Sequence, residues 1–203
     1  MVLEAKNITF QYENANRKDE RRILHDFSLR MESHERVGIA APSGFGKTTF
    51  CKILAGYERP DRGEVLLDGK PLAFYGNYCP VQMIWQHPEQ VVNPRLRMRE
   101  VLKEGDGIEE RILQGLGIEE DWKNRYPAEI CGGELQRFCI ARALGRGTRY
   151  LLADEISAML DLITQSQLWR FLMTETEKRG IGLVVVSHSQ SLLDRICTHV
   201  QKI

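Results

Sequence analysis

The sequence predicts an α/β fold in which helices cover both faces of a mainly parallel β-sheet. Short apolar runs with the composition of buried strands alternate with longer amphipathic stretches along most of the chain. This alternation is typical of strand–helix–strand units, whose connections make neighbouring strands parallel. Glycine-rich and polar turns separate the two kinds of segment, so their ends are well marked. Because 203 residues is the length of one compact unit, we expect a single domain over residues 1–203.

Each predicted strand or helix depends on the period of its apolar residues. The clearest strand is residues 2–12, where apolar and polar side chains alternate as they do on a half-buried strand. The predicted strands are residues 2–12, 24–31, 36–41, 63–68, 81–85, 150–153 and 183–186. The predicted helices are residues 47–55, 133–144, 162–178 and 190–196. A polar run at residues 14–22 is expected to form an exposed loop.

Residues 99–122 form a polar stretch with helical propensity that several glycines interrupt: Gly105, Gly107, Gly115 and Gly117. The stretch precedes a long amphipathic helix and shows neither strand period nor low complexity. We therefore expect a small helical lobe, over about residues 90–146, inserted into the α/β core.

The charge balance argues against a polyanionic partner. Lys and Arg together number 28, as do Asp and Glu, so the formal net charge is zero. A nucleic-acid-binding surface usually adds an excess of basic residues, so we do not expect nucleic acid as a partner. A local basic patch remains compatible with this neutral total.

The apolar segments are too short for a membrane-spanning helix, which needs about 20 residues. The first ten residues also lack the layout of a signal peptide. Work at a membrane would then require docking on another chain. The scattered cysteines include no C-x-x-C pair, and we interpret them as reduced thiols.

A turn-rich segment between the third predicted strand and the first predicted helix has the composition of a phosphate-binding loop. It comprises Ala41, Pro42, Ser43, Gly44, Phe45, Gly46, Lys47, Thr48 and Thr49. Gly44 and Gly46 allow the backbone N–H groups to face inward at a helix N-terminus. Lys47 could reach the β- and γ-phosphates, and the Thr48 hydroxyl could bind Mg²⁺. Because Ala41 replaces the first glycine of the P-loop pattern, an ordinary glycine-containing turn remains the alternative.

Polar residues stand at the carboxyl ends of three further predicted strands. Asp154 and Glu155 follow an apolar strand, where Asp154 could hold Mg²⁺ and Glu155 could act as general base on a water. His188 follows another strand and could sense the γ-phosphate. Gln86 follows a third and could complete the magnesium and water shell. Each could instead be a helix cap or a loop residue, and the nearby phosphate loop favours the functional interpretation.

The segment before this acidic pair carries a family resemblance. Residues 131–137 read Cys-Gly-Gly-Glu-Leu-Gln-Arg and resemble the S-G-G-[EQ]-x-Q-R signature of ATP-binding-cassette proteins. Other motifs of that family follow in family order, so the resemblance covers nearly the whole chain. It implies a P-loop NTPase core with a mixed, mainly parallel sheet, an N-terminal antiparallel β subdomain and a helical lobe that carries the signature.

Each nucleotide-contacting motif of the family has a counterpart here. The adenine-stacking aromatic, Walker A segment, Q-loop and Walker B strand correspond to Tyr12, residues 41–48, Gln86 and residues 151–154. The catalytic glutamate, D-loop and H-switch correspond to Glu155, residues 157–161 and His188. The resemblance also implies nucleotide contacts, across a dimer interface, for Cys131, Gly132, Gly133, Glu134 and Asp161. It implies ATP as substrate, with Mg²⁺ held by Thr48, Gln86 and Asp154.

The resemblance further implies a head-to-tail pair of cassettes. Each ATP would lie between the phosphate loop of one subunit and Gly132 and Gly133 of the other. These glycines open a predicted helix, so their N–H groups and the positive end of its dipole would face the γ-phosphate. ATP would then hold the dimer together until hydrolysis.

A finer resemblance concerns importers of peptides and nickel. Residues 81–88 and 92–95 are similar to the V-Q-[ML]-[VI]-F-Q-[DN]-P and L-N-P-R stretches of their ATPases. This implies an ATPase subunit at the cytoplasmic face of the cell membrane, docked on transmembrane permease subunits and served indirectly by a solute-binding protein. The cargo could be a peptide, nickel or a metal chelate.

Several positions depart from the family pattern. Cys131 replaces the signature serine with a weaker hydrogen-bonding group, and Ala41 and Phe45 alter the phosphate loop. Ile156 and Met159 alter the segment after the Walker B strand. We hypothesise a working enzyme in an asymmetric pair with a different ATPase subunit, although a homodimer remains open.

Two other functions remain compatible with the sequence. One is a soluble member of the superfamily that acts in translation or DNA repair, although such proteins usually carry two cassettes or long coiled-coil insertions. The other is a non-catalytic module that uses ATP only to clamp a dimer, although a clamp has no need of Glu155 and His188.

Overall fold

The computed structural model describes residues 1–12, 23–41, 44–76, 78–158 and 160–202. The loop predicted at residues 14–22 lies outside these ranges. Pro42 and Ser43 of the phosphate loop, and Met159 of the D-loop, also lie outside them.

The first sheet is antiparallel and has the strand order β2-β1-β4-β5. Its strands are β1 (Val2–Phe10), β2 (Leu24–Glu32), β4 (Arg62–Leu67) and β5 (Lys70–Pro71). In β1, the buried residues are Leu3 and Ala5, then Ile8 and Phe10. The change from odd to even positions coincides with a register shift around Asn7, whose φ is +52°. An extra residue in one strand reverses which side chains face the core, so both halves of β1 bury their apolar side chains.

The second sheet is parallel and has the strand order β6-β7-β8-β3-β9. Its strands are β3 (Arg36–Ala40), β6 (Val81–Ile84), β7 (Tyr150–Asp154), β8 (Gly182–Val186) and β9 (His199–Lys202). Every residue of β7 and β8 is buried, as expected for central strands covered on both faces. Because the strands are parallel, their carboxyl ends share one edge of the sheet.

The helices are α1 (Lys47–Leu54), α2 (Met98–Lys103), α3 (Glu110–Gly115), α4 (Gly132–Ala143), α5 (Leu162–Arg179) and α6 (Gln190–Ile196). Four of these match the predicted helices to within one or two residues. The lobe predicted from residues 99–122 contains α2 and α3, with Gly105 and Gly107 between them. Short 3₁₀ segments follow at Asp121–Asn124 and Pro127–Glu129.

Side chains on opposite faces of the parallel sheet belong to two hydrophobic clusters. Leu152, Val184 and Val186 face α1 and the antiparallel sheet. Leu151 and Val185 belong to the cluster built with α4, α5 and the helical lobe. Alternation along the central strands therefore joins the two parts of the fold through one sheet.

The buried side chain of Tyr150 fastens the start of β7 to the antiparallel sheet. Its hydroxyl donates to the Met1 carbonyl at 2.7 Å, and the Met31 carbonyl lies 3.3 Å away. Across the described ranges, no helix combines the length and the apolar character needed to cross a bilayer.

Candidate active site

The carboxyl edge of the parallel sheet brings most of the predicted site residues together. Loops leave this edge after β3, β6, β7 and β8, which are adjacent strands or close neighbours in the sheet. An open cleft lies there, which we call the phosphate cleft. Its lining is Ile23, Gly44, Gly46, Lys47, Thr48, Thr49, Gln86, Asp154, Glu155 and His188.

The phosphate loop turns into α1 through two glycines in the left-handed region. The φ angles of Gly44 and Gly46 are +82° and +79°, a conformation that glycine adopts without steric cost. Gly46 caps the N-terminus of α1, and a Cβ atom there would lie 2.5 Å from Ile23 Cγ2. The Lys47 ammonium donates to the Ala41 carbonyl at 2.7 Å, which brings the cation to the start of the loop. Phe45 is more than half exposed.

Asp154 ends β7 and is almost completely buried. Burial raises the pKa of its carboxyl group, while a hydrogen bond from Thr48 and the charge of Lys47 oppose this rise. Among the described residues, no hydrogen-bond donor reaches its Oδ1 atom. A buried carboxylate oxygen without a donor, close to a threonine hydroxyl, suits a hard cation that prefers oxygen ligands. These residues therefore fit Mg²⁺.

Glu155 has a strained backbone that follows directly from the end of the strand. Its φ is +50°, which is uncommon for any residue other than glycine, and its N–H donates to the Val186 carbonyl at 3.1 Å. Burial raises the pKa of its carboxyl group; the charge of His188 lowers it and that of Asp154 raises it. His188 Nε2 lies 3.2 Å from Glu155 Oε1, within ion-pair distance but not aligned as a hydrogen bond.

Tyr12 and Thr49 connect the phosphate loop to the end of β1. The Tyr12 hydroxyl lies 3.3 Å from Thr49 Oγ1, and its ring packs edge-on against Phe10. Tyr12 is 40% exposed, and its contact with Thr49 places it beside the cleft.

The signature residues lie at the N-terminus of α4. Glu134 Oε2 accepts a hydrogen bond from the Cys131 N–H at 2.9 Å, which caps the helix. Cys131 and Gly132 are exposed, and Gly133 is partly buried. We name the adjoining cavity the signature cavity. It shares Gln86 and Glu155 with the phosphate cleft, and its other lining residues include Gly132, Gly133, Gln136, Ile156 and Leu160.

Asp161 has a clear structural role as the N-cap of α5. Its Oδ1 accepts from the N–H groups of Ile163 and Thr164 at 3.0 Å, and its Oδ2 accepts from the Thr164 hydroxyl. The hydrogen bonds from Thr164 lower the pKa of the Asp161 carboxyl group. Its predicted nucleotide contact across a dimer stays a prediction.

The structure shows contacts of three residues for which the sequence analysis predicted no individual role. Ile23 lines the phosphate cleft, although it follows a polar run and begins no motif. Ser157 is buried, and its hydroxyl accepts from Trp169 Nε1 at 3.0 Å, so it fixes the D-loop to α5. Gln136 is also buried, and it lines the signature cavity.

Known proteins resemble this chain over most of its length. The family model described as ABC transporter matches residues 24–158. The chain belongs to the ABC transporter family. Nickel import ATP-binding protein NikE of Rhodospirillum rubrum is 31% identical over 199 aligned residues, covering 88% of this chain and 71% of that protein. The NikE protein of Escherichia coli K12 is 30% identical over 196 residues, covering 88% of this chain and 73% of that protein.

A solved structure has the same fold as this ABC transporter family chain. The dimeric ATP-binding cassette MJ0796, in a post-hydrolysis state bound to ADP and Pi, has a TM-score of 0.84 and 24% sequence identity. The match covers 99% of this chain and 94% of that one. The predicted α/β P-loop fold, with a separate antiparallel sheet, is thus confirmed, and the chain is an ATP-hydrolysing ABC subunit.

Proposed function

We propose that this chain binds Mg·ATP in the phosphate cleft and hydrolyses it as the ATPase subunit of an import system. The observation that carries the proposal is the gathering of Lys47, Thr48, Asp154, Glu155 and His188 in one cleft. These residues come from the first turn of α1 and from the carboxyl ends of the parallel strands β7 and β8, and together they supply a cation, a metal-binding pair and a base.

The phosphate loop would hold the triphosphate. The backbone N–H groups that open α1 lie at the positive end of the helix dipole, where anions are stabilised. Lys47 is only 7% exposed, so its positive charge acts with little solvent screening. Tyr12 at the rim would stack on the adenine ring.

Thr48, Asp154 and Gln86 would hold Mg²⁺. Thr48 and Asp154 already contact each other, and Asp154 Oδ1 has no donor among the described residues. When bound, the ion would neutralise charge on the phosphate oxygens.

Glu155 would act as general base. Its carboxylate would take a proton from a water whose oxygen attacks the γ-phosphorus, while the bond to the bridging oxygen breaks and ADP leaves. Burial raises the pKa of this carboxyl group, which brings it closer to the value of an efficient base at neutral pH. His188, 3.2 Å away, would hold the carboxylate in place and interact with the γ-phosphate.

Replacement of the base tests this mechanism. We expect Glu155→Gln to lower the ATP turnover number by about 10²- to 10⁴-fold, the range of general-base catalysis, and to retain ATP binding. Turnover is measured by phosphate release and binding by calorimetry. Glu32→Gln is a matched control, because Glu32 also lies beside a histidine, His34, at 3.9 Å on the antiparallel sheet.

Unchanged turnover in Glu155→Gln would remove Glu155 from the role of base. An absence of phosphate release from the unmodified chain, together with ATP-dependent dimers, would instead favour an ATP-clamped module without catalysis. An absence of any affinity for Mg·ATP would contradict the whole proposal.

The surface beside Gln86 supports docking on a permease. A groove next to the end of β6 is lined by Tyr57, Tyr78, Trp85 and other residues. Tyr57 is 59% exposed, and its ring lies 5.3 Å from that of Trp85. An exposed aromatic side chain in a groove that other aromatic residues line is typical of a binding surface. We propose that transmembrane permease subunits dock here and hold the chain at the cytoplasmic face of the membrane.

The proposed cargo is nickel, a metal chelate or a peptide. The relatives named as nickel import proteins support nickel, and the resemblance of residues 81–95 to peptide and nickel importers supports all three. Vesicles containing the chain with candidate permease subunits would be supplied with ATP and with labelled nickel, a labelled nickel chelate or a labelled dipeptide. Uptake that Glu155→Gln abolishes would identify the cargo, and absence of uptake would contradict these classes.

A further inference from the structure

Gln136 is a buried amide in the first half of α4. Only 4% of the residue is exposed, and its Nε2 atom donates to the carbonyl of Trp85 at 3.3 Å. Trp85 follows the last residue of β6 and directly precedes Gln86. The hydrogen bond therefore joins the helix that bears the signature to the main chain that carries the Q-loop glutamine.

The position of Gln136 on the helix strengthens this connection. Gly133 lies three residues earlier, so the two residues share one face of α4. Both line the signature cavity together with Gln86 and Glu155. The signature glycines, Gln136 and the proposed base Glu155 therefore all line the signature cavity.

The next residue attaches α4 to the end of α3 within the helical lobe. Arg137, the next residue, donates from Nη1 to the Leu116 carbonyl at 2.7 Å, just beyond α3. A shift of α3 would therefore move α4 through Arg137. The same shift would displace the main chain at Trp85 through Gln136, because the hydrogen bond between them favours a fixed donor–acceptor distance.

We propose that Gln136 is a positioning residue that couples the signature segment to Gln86. It contacts neither nucleotide nor metal itself, and it acts by fixing where the main chain places the Gln86 amide in the cleft. The inference rests on the proposed function, because it assigns the coupling to ATP hydrolysis. Loss of the hydrogen bond should slow turnover and leave the phosphate loop, and hence nucleotide affinity, unchanged.

The test replaces the amide with a side chain of similar length that cannot donate. We expect Gln136→Met to lower kcat for ATP about tenfold, the scale of one hydrogen bond, with KM within about twofold of the unmodified chain. Hydrogen exchange at the backbone amides of residues 86–90, of which all but Pro88 carry an N–H, should become faster. Gln136→Asn, which is too short to bridge the gap, serves if the methionine variant does not fold.

The matched control is Gln82→Met on β6. Gln82 Nε2 also donates to a main-chain carbonyl, that of Cys79 at 2.7 Å, at the opposite end of the strand. We expect this variant to lower Tm by an amount similar to Gln136→Met, with kcat and the exchange of residues 86–90 unchanged.

The inference would be overturned if Gln136→Met kept both kcat and the exchange of residues 86–90 at the values of the unmodified chain. It would also be overturned if the two methionine variants lost kcat to the same extent, since the effect would then be one of stability. If the unmodified chain did not hydrolyse ATP, the proposed function would fail, and the exchange measurement alone would decide whether Gln136 positions this segment.

Discussion

At the scale of single residues, the site contains two adjacent carboxyl groups in an environment that disfavours their charged forms. Burial raises the pKa values of both Asp154 and Glu155, so each carboxylate is less stable in the folded protein than in water. The opposing contributions come from Thr48, Lys47 and His188. We therefore expect the folded chain to be less stable than it would be with neutral groups at these positions, as is common where a site is built for function.

Asp154→Asn should make the nucleotide-free chain more resistant to urea at pH 8. Because folding raises the pKa of Asp154, its ionised form carries a free-energy cost above that pKa, and asparagine avoids the cost. The gain should shrink as the pH falls through the folded pKa, and should vanish below the unfolded value of about 3.9.

Urea unfolding curves from pH 8 to pH 3.5 measure this difference. Asp194→Asn, on the exposed side of α6, is the control and should show no comparable pH-dependent gain. A stability of Asp154→Asn at or below that of the unmodified chain at pH 8 would contradict the prediction.

The sequence allowed prediction of which polar residues meet in the cleft. Asp154, Glu155, His188 and Gln86 each follow a strand, and parallel strands bring their carboxyl ends to one edge. The positive φ of Glu155 was not predictable, because it results from the hydrogen bond of its N–H to β8 rather than from any local preference. The presence of Ile23 in the cleft likewise depends on how β2 approaches the loop.

At the scale of elements, the turn from β3 into α1 depends on glycine for two different reasons. Gly44 and Gly46 have nearly the same positive φ. A Cβ atom added to Gly44 would meet no described atom within 4 Å, whereas Gly46 is pressed against Ile23. Gly44 is therefore required by its backbone conformation alone. Gly46 is required both by its backbone conformation and by the lack of space for a side chain.

Alanine at these two positions should separate the contributions. We expect Gly44→Ala to lower the free energy of unfolding by about 1–2 kcal/mol, the cost of a left-handed alanine. Gly46→Ala should lower it by a further 1–3 kcal/mol or so, because its Cβ would overlap Ile23 Cγ2 and the Ile23 carbonyl. Urea unfolding measures both values. An equal decrease in the free energy of unfolding in the two variants would show that the contact with Ile23 does not contribute to it.

Elements with a clear apolar period were predicted well, and two short strands without one were missed. The helix predicted at residues 162–178 corresponds to α5, which Asp161 begins as an N-cap and Gly180 ends in the left-handed region. By contrast, β5 has two residues and β9 has four largely polar or exposed ones, too few to show a period. The strand β9 exists because it pairs with β3, which is a tertiary effect.

At the scale of the whole molecule, the predicted site residues form two sets at the carboxyl edge of the sheet. Lys47 begins α1, and Asp154 and Glu155 stand at the end of β7, while Gly132 and Gly133 begin α4, which packs with the rest of the helical lobe. The signature glycines line the cavity next to the phosphate cleft but not that cleft itself. We therefore expect their anion-binding N–H groups to meet a nucleotide held by a second cassette.

ATP should convert the catalytically slow Glu155→Gln variant from monomer to dimer. A ligand that binds only the assembled form stabilises it in proportion to the logarithm of its concentration, and this variant cannot remove the ligand by hydrolysis. Light scattering after size exclusion, with and without Mg·ATP, measures the mass.

Addition of Gly132→Asp to that variant should abolish the dimer without lowering Tm. A Cβ at Gly132 meets no described atom within 4 Å, while a carboxylate there would repel the phosphates. A monomer at saturating ATP in the parent variant would contradict self-assembly and favour a different ATPase subunit as partner.

The contacts of Arg179 have a mechanical consequence. This last residue of α5 donates to the carbonyls of Leu144 and Gly145 at the far end of α4. These hydrogen bonds hold the C-terminal ends of α4 and α5 together, away from the site. The first turns of the two helices line a cavity together with Leu160. With 12 residues, α4 is about 18 Å long. A pivot of about 10° at its C-terminal end would swing the tip bearing Gly132 by about 3 Å, the length of one hydrogen bond.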